Sequence, residues 1–500
     1  MAFTDCACKS DTPLRYLVEV DISRTNTQWI NIGAGVWYCN FANTYAYVDA
    51  SLLSDEYTVQ EFGDIGSVTV DDTGYIHALS IANVGEVAGS FYYTNGTIYI
   101  HTSENDSPYM HKITLGITLG FANRSFTPSG SNTHFQGRIA QAPKISRSRD
   151  PLFWGRIKYD IGGVSVINSD GAYDGFADDY DVYGNSARVL VGYDGLSYQD
   201  YRNVFSGTVE KFGYNYDEAS FSIADKRKIL TIKTGGAFEN YNAVQFIIDL
   251  LNVNYGYEYS DGTYDIDEVN AAIAVSPLIT YNSLEYGLDL VPLIDIIEQV
   301  CSSVRGIFFV KPDGRFSFRF IDPSADPTII IPYSDIINRI DYKYDPSEVI
   351  STVEVGYAKN WSTGAYTYYT DNTREAAIYS KYNVYKTQKF DTLLTTLAAA
   401  QAFASSVLDY CEDVHATFDL EIPMKYFGIE IGDIIFLEHG RRANQTKPCE
   451  KCEVLSVSYN LEKLSITIGV RKYEDQLFYR ALTDGAVRIT TDTYTRGVIG

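Results

Sequence analysis

Val414-His-Ala-Thr-Phe-Asp-Leu-Glu-Ile422 alternates apolar and polar residues at every step. Val414, Ala416, Phe418, Leu420 and Ile422 fall on one side and His415, Thr417, Asp419 and Glu421 on the other, the period-two pattern of a strand with one face in a core and one in solvent. Downstream, Ile431-Gly-Asp-Ile-Ile-Phe-Leu437, Val454–Tyr459 and Leu464–Val470 read as further strands. Upstream, Val349–Gly356 is another, followed by a segment capped by Asp391 and running from Leu393 to Tyr410 whose Ala398-Ala-Ala400 favours helix. Further back the period changes. Asn242–Asn252 and Pro292–Ser303 repeat their apolar residues every three to four positions and predict amphipathic helices, and Arg305–Phe320 predicts a hairpin turning at Asp313-Gly314. Phe153–Leu230 returns to short strands, punctuated by Ile161-Gly-Gly163, Asn168-Ser-Asp-Gly171 and Tyr193-Asp-Gly195. Tyr16–Ala140 is strand-like too, with a hairpin over Ser90–His101 turning at Asn95-Gly96. The pattern predicts a mainly β, multi-domain chain of small β-barrels or sandwiches with an α+β insertion. The expected pieces are an N-terminal β domain over 1–145, a second β domain over 146–234, the insertion over 235–338, a further β domain with one helix over 339–475, and a C-terminal extension over 476–500.

A chain of 500 residues is too long for one core. Its 40 basic and 64 acidic side chains leave a net charge of -24, which excludes stable nucleic-acid binding, since that needs Lys/Arg stripes. No apolar run approaches the roughly 18 residues of a membrane span. The start, Met-Ala-Phe-Thr-Asp-Cys6, has neither the basic nor the apolar region of a secretory signal, so synthesis in a cytoplasm is expected. The 42 tyrosines are the unusual feature of the composition, and tyrosine suits half-buried strands and interfaces, where the ring packs and the hydroxyl stays hydrated.

No HExxH, GxSxG, GxxxxGK[ST] or strand-to-helix GxGxxG occurs, so no enzyme is expected. The stretch Asp170–Asp181 has acidic residues at the first, fifth and ninth places of a calcium loop, but Ala172 fills the third and Asp181 the closing place, so a solvated turn is the expected reading. The six histidines are scattered without paired spacing. Trp29, Trp37, Trp154 and Trp361 are expected in cores or interfaces, with a sugar platform as the other use. The seven cysteines include two close pairs, Cys6/Cys8 at the start and Cys449/Cys452 in a predicted polar loop. Together they are candidate ligands for zinc or an iron–sulfur cluster, against the alternative of unconnected reduced thiols, while Cys301 and Cys411 on helices read as core fillers.

From Trp154 onward the text resembles the tail hub or tail-tip (baseplate hub) proteins of long-tailed bacteriophages and gene transfer agents. The resemblance rests on Gly163-Val-Ser-Val-Ile-Asn-Ser-Asp-Gly-Ala-Tyr-Asp174, Ala187-Arg-Val-Leu-Val-Gly192, Val204-Phe-Ser-Gly-Thr-Val209 and Ala224-Asp225, with Tyr99–Pro108 before them. Phe390–Thr395, the Ala-rich helix, the strand ending at Pro423 and Ile429-Glu-Ile-Gly-Asp-Ile434 extend it toward residue 475. It implies two tube-like β domains, 146–234 and 339–475, joined around a tail axis in a homotrimer, with the insertion outside. It further implies a virion location at the tail tip, DNA passage at infection, and partners among distal tail, tail tube, tip or central fibre and tape measure proteins. Some members hold an iron–sulfur cluster by cysteines, which adds weight to Cys6, Cys8, Cys449 and Cys452. The competing reading is a receptor- or glycan-binding tail protein, with or without hydrolase activity.

Overall fold

The computed structural model describes residues 14–25, 30–33, 36–40, 64–70, 73–74, 76–78, 80–94, 97–101, 113–131, 133–149, 158–282, 290–321, 327, 329–438 and 449–476. The chain forms two compact units. One takes residues 1–145, 161–226 and 312–314, the other residues 146–160, 227–311 and 315–500.

In the first unit Leu14–Thr25 pairs antiparallel with Ile113–Ala122 on one side and with Ser186–Tyr193 on the other, placing Val18 opposite both Phe121 and Val189. Leu17, Val18, Val20 and Ile22 are buried, which fixes this strand in the middle of its sheet. The order runs Ile161–Ile167, Glu218–Ala224, Arg202–Tyr214, Ser186–Tyr193, Leu14–Thr25, Ile113–Ala122, Asp64–Val70, Thr73–Gly74. Strands from the predicted 1–145 domain and from the predicted 146–234 domain therefore share one sheet. Pairing between distant segments is made by backbone hydrogen bonds, and no local periodicity names the partner. A second, five-stranded sheet contains Ser90–Thr94 and Thr97–His101 with Tyr92 opposite Tyr99, the predicted aromatic hairpin.

Two glycines explain why the Val204–Val209 text reads as it does. The Phe205 ring lies over Gly162, where a Cβ would meet it at 2.8 Å, and a Cβ on Gly207 would come within 2.1 Å of the Ala224 carbonyl oxygen. Gly207 is thus required by the close approach of the strands Arg202–Tyr214 and Glu218–Ala224, whose register shifts between Val209 and Lys211.

The second unit holds the strand quoted first. Ala416–Pro423 buries Ala416, Phe418, Leu420 and Ile422 and leaves the alternate residues partly or fully exposed, as its alternation predicts. It pairs with Ser465–Gln476, which pairs with Cys449–Asn460, then Ile434–Glu438 and, in parallel, Ile329–Ile331. The helix on this segment spans Leu397–Cys411, and its N-cap is Thr396, not Asp391. Asp391 ends the strand Thr387–Asp391, and Leu393 and Leu394 are buried in the irregular stretch between. That stretch is fastened by the Thr392 hydroxyl donating to the Gly356 carbonyl, so apolar content there reports burial and not helix. The helix packs with Val353 and Val355 in a core of its own.

The predicted α+β insertion has a separate core, built by Ala243–Tyr255, Leu293–Val304, the strands Gly306–Val310 and Phe316–Phe320, and an unpredicted third helix, Ile266–Val275. Asn242 caps the first helix through Val244 and Gln245, and Asp265 caps Ile266–Val275 through the Glu268 N–H. Of the small barrels or sandwiches expected from the alternation, no closed barrel is found among the described residues. The sheets are open, ending in the two-residue strands Thr73–Gly74 and Lys343–Tyr344. Alternation is the same in open and closed sheets, and closure depends on stagger and tilt that alternation does not encode.

Candidate functional site

The most organised polar feature of the first unit lies on the Asn168–Asp174 motif. Asn168 is buried; its side-chain nitrogen donates to the Asp174 carboxylate (2.9 Å) and to the Asn215 carbonyl (2.8 Å), and its side-chain oxygen accepts from the Tyr173 N–H (2.8 Å). The Asn168 N–H donates to the Asp217 carbonyl at 2.8 Å. Gly171 and Gly175 turn the chain with φ of 69° and 71°, a region open to glycine at little cost. Tyr173 then drops into the core against Phe121, Phe176 and Phe221. Asp170 forms a two-pronged pair with Arg138, which holds its carboxyl below the usual range. Asp170 and Asp174 are both engaged in building the turn.

The product of this bracing is the hairpin tip that follows Arg202–Tyr214. The Asn215 side-chain oxygen accepts from the N–H groups of Asp217 (2.8 Å) and Glu218 (2.9 Å), while the Asn168 bonds hold the Asn215 and Asp217 carbonyls. Tyr214 is 49% exposed and Tyr216 91% exposed. A large aromatic ring carried into solvent on a rigid turn has the form of an interface anchor, because ordering costs are already met before contact.

Within the second unit the charges concentrate in two clusters. In the first, Lys311 donates to Asp265 (2.6 Å) and lies 3.7 Å from Glu268 and 3.9 Å from Glu430. Arg319 binds Glu268 (2.5 Å), Asp433 (2.8 Å) and the Ile431 carbonyl (3.0 Å), and Arg315 pairs with Asp261 (3.0 Å). Burial pushes the Glu430 carboxyl up to about 7. In the second cluster the fully buried Glu453 accepts from Arg149, Tyr410 and Tyr473, and the buried Arg471 lies 4.0 Å over the Tyr410 ring while donating to its carbonyl. Both clusters tie elements together, and in the second the buried Arg471 keeps its Nε without a hydrogen bond among the described residues. A cavity of about 250 Å³ opens near the second, lined by Arg149, Lys343, Phe418, Leu455 and Val470 among others.

Of the candidate metal ligands, Cys6 and Cys8 lie outside the described residues. Cys449 and Cys452 are not in a loop; they open the strand Cys449–Asn460, with Cys452 fully buried and its thiol 3.8 Å from the Glu450 carbonyl. Polar text there predicts a loop, but Glu450, Lys451 and Glu453 are themselves buried. Among the described residues no group of three or more His, Cys, Asp or Glu is arranged to hold a metal ion. Placed thiols therefore supply one ligand position, Cys452, and the four-thiol site is carried forward as a proposal. Cys301 and Cys411 are buried in the helices' cores as expected. Burial pushes the Cys411 thiol up to about 11. Trp361 is half-buried, packed on Tyr281 and covered by the Lys359 ammonium at 4.1 Å, a packing role and not an open sugar platform. Trp29 and Trp154 lie outside the described residues. No helix among the described residues is long and apolar enough to cross a membrane.

No protein-family model matches the chain, and no curated protein matches it. Solved structures do. A tail protein from Neisseria meningitidis MC58 is similar over 67% of this chain and 95% of its own, at 14% identity and a TM-score of 0.43. The 43 kDa tail protein of prophage MuSo2 from Shewanella oneidensis is similar over 69% and 95%, at 12% identity and a TM-score of 0.42. Prophage tail protein gp18 from Listeria monocytogenes EGD-e is similar over 68% and 91%, at 10% identity and a TM-score of 0.42. About two thirds of this chain is thus similar to nearly the whole of each of these three tail proteins.

Proposed function

We propose that this chain is a structural hub protein of a bacteriophage tail tip, present in the virion, that forms a ring around the tail axis, closes the tail tube, joins it to tip or fibre proteins and passes DNA at infection. The observation that carries the reading is the layout of the chain: two β-rich units and an α+β segment with its own core around Ala243–Tyr255 and Leu293–Val304, the plan implied by the resemblance of residues 90–475 to tail hubs. The braced, exposed tyrosines of the first unit support it, since they suit assembly and not turnover. The ring is a homotrimer in this reading, with distal tail, tail tube, tip fibre and tape measure proteins as neighbours. An acidic chain of net charge -24 suits a channel that must not hold DNA phosphates.

The test is to image particles labelled with an antibody against this chain and to weigh the purified protein by mass photometry. Label at the distal end of the tail and a species near three times 56.0 kDa are expected. Label elsewhere on the particle would overturn the reading, and oligosaccharide binding by the isolated chain would favour the receptor-binding alternative.

A further inference from the structure

We propose that the Tyr216 hairpin tip of one copy seats in the Lys343-rimmed cavity of the next copy. The inference deepens the ring reading and rests on it. The tip is preorganised: hydrogen bonds from Asn168 and Asn215 fix residues 215–218 before any partner arrives, so little conformational entropy remains to be lost on docking. It presents an aromatic ring, Tyr216, flanked by the exposed Asp217 and the partly exposed Glu218.

The cavity has matching chemistry. Phe418, Leu455 and Val470 give it apolar lining, Lys343 and Arg149 supply cations, and Ser148, Thr417 and Ser456 supply hydroxyls. Asp419 also lines it, one carboxylate among these groups. Arg149 is held by Glu453, but Lys343 is exposed and makes no ion pair among the described residues, in a chain where acids outnumber bases 64 to 40. At the cavity wall Gly469 leaves room for the Ser456 hydroxyl, because a Cβ there would meet it at 2.4 Å and the Asp419 carboxylate at 3.2 Å. At about 250 Å³ it falls below the roughly 300–1,000 Å³ of small-molecule pockets and suits a single aromatic side chain. Tip and cavity are different surfaces of the same chain, so their contact is head-to-tail, the kind that closes rings when the rotation permits.

The experiment uses the full chain in sedimentation velocity across a concentration series, with a photocrosslinking residue placed at position 216 in a parallel sample. Tyr216→Ala and Lys343→Glu should each weaken association by about tenfold or more, and Asp217→Lys combined with Lys343→Glu should recover much of the loss. The crosslink should join two copies through a peptide from residues 417–470. Variants with unchanged melting that still assemble like the wild type would overturn this contact and leave the ring standing. A wild-type chain that is monomeric throughout the series would sink the ring reading itself, and crosslinks between copies that map only to peptides outside the cavity lining would overturn the cavity as the seat of the tip.

Discussion

Single atoms decide several features of this protein. Gly207 has no room for a side chain beneath the Ala224 carbonyl, so Gly207→Val forces the two strands apart. It should destabilise the first unit by about 1–3 kcal/mol, read as a fall in melting temperature, with Gly207→Ala intermediate. A melt unchanged in both variants would mean the strands are not so close. Glu453 presents the opposite case, a buried acid whose loss leaves a buried guanidinium, Arg149, without its carboxylate. Glu453→Leu should cost about 3–5 kcal/mol in urea unfolding, whereas replacing Glu453 and Arg149 together by apolar residues should cost less than Glu453→Leu alone. The cysteine proposal also belongs here. Anaerobically purified protein is expected to contain iron with sulfide, or zinc, and Cys449→Ser with Cys452→Ser should remove it; metal-free wild-type protein would leave Cys6, Cys8, Cys449 and Cys452 as ordinary thiols.

Among elements, the bracing of one turn by another is the main theme. Asn168 makes two hydrogen bonds within the Asn168–Asp174 turn and two to the 215–218 hairpin, and Asn168→Ala should loosen both. The expected loss is about 1–3 kcal/mol, with faster amide exchange at the hairpin tip than at the strand Ser186–Tyr193. Glu430 governs how the hairpin Gly306–Phe320 and the helix Ile266–Val275 are tied to the 430–433 turn. It faces Lys311, Arg319, Glu268 and Asp433. Burial raises its carboxyl to about 7 in the folded chain, so the folded state holds this proton more tightly than the unfolded chain does. That contribution is complete below the ordinary carboxylate range and is lost as pH rises through about 7. The wild type should therefore lose melting temperature between pH 5 and 8 relative to Glu430→Gln, and parallel profiles would count against the burial of Glu430 as the cause.

At the scale of the whole molecule, the open sheets leave edges and tyrosine-bearing surfaces for partners to cover. Exposed apolar residues such as Ile161, Tyr214, Tyr216 and Tyr344 suit a chain that works inside an assembly. Charge then shapes how copies meet: a net charge of -24 on each repels neighbours at low ionic strength. Assembly of the purified chain should accordingly strengthen as salt is raised from about 0.01 to 0.15 M, where the screening length shrinks to about 8 Å. Weaker association at the higher salt would show instead that local contacts such as that of Lys343 dominate over the overall repulsion.

The β character, the change of period at Asn242, the hairpin turning near Gly314 and the alternation of Ala416–Pro423 were all legible in the sequence, because each depends on residues a few positions apart. The helix Ile266–Val275 was not predicted, because its apolar stripe is short and its one local signal is the pair Asp265 and Glu268 at its start. What tertiary structure alone decided is everything that joins distant residues. Leu14–Thr25 finds Ser186–Tyr193, Asn168 finds Asn215, and Glu453 finds Arg149 across some 300 positions. The same applies to Cys452, whose polar neighbours mimic a loop until Arg471, Lys472 and Tyr473 on the paired strand enclose and satisfy them. Burial of polar groups is affordable only where partners arrive from elsewhere in the chain, and no stretch of sequence carries the address of its partner.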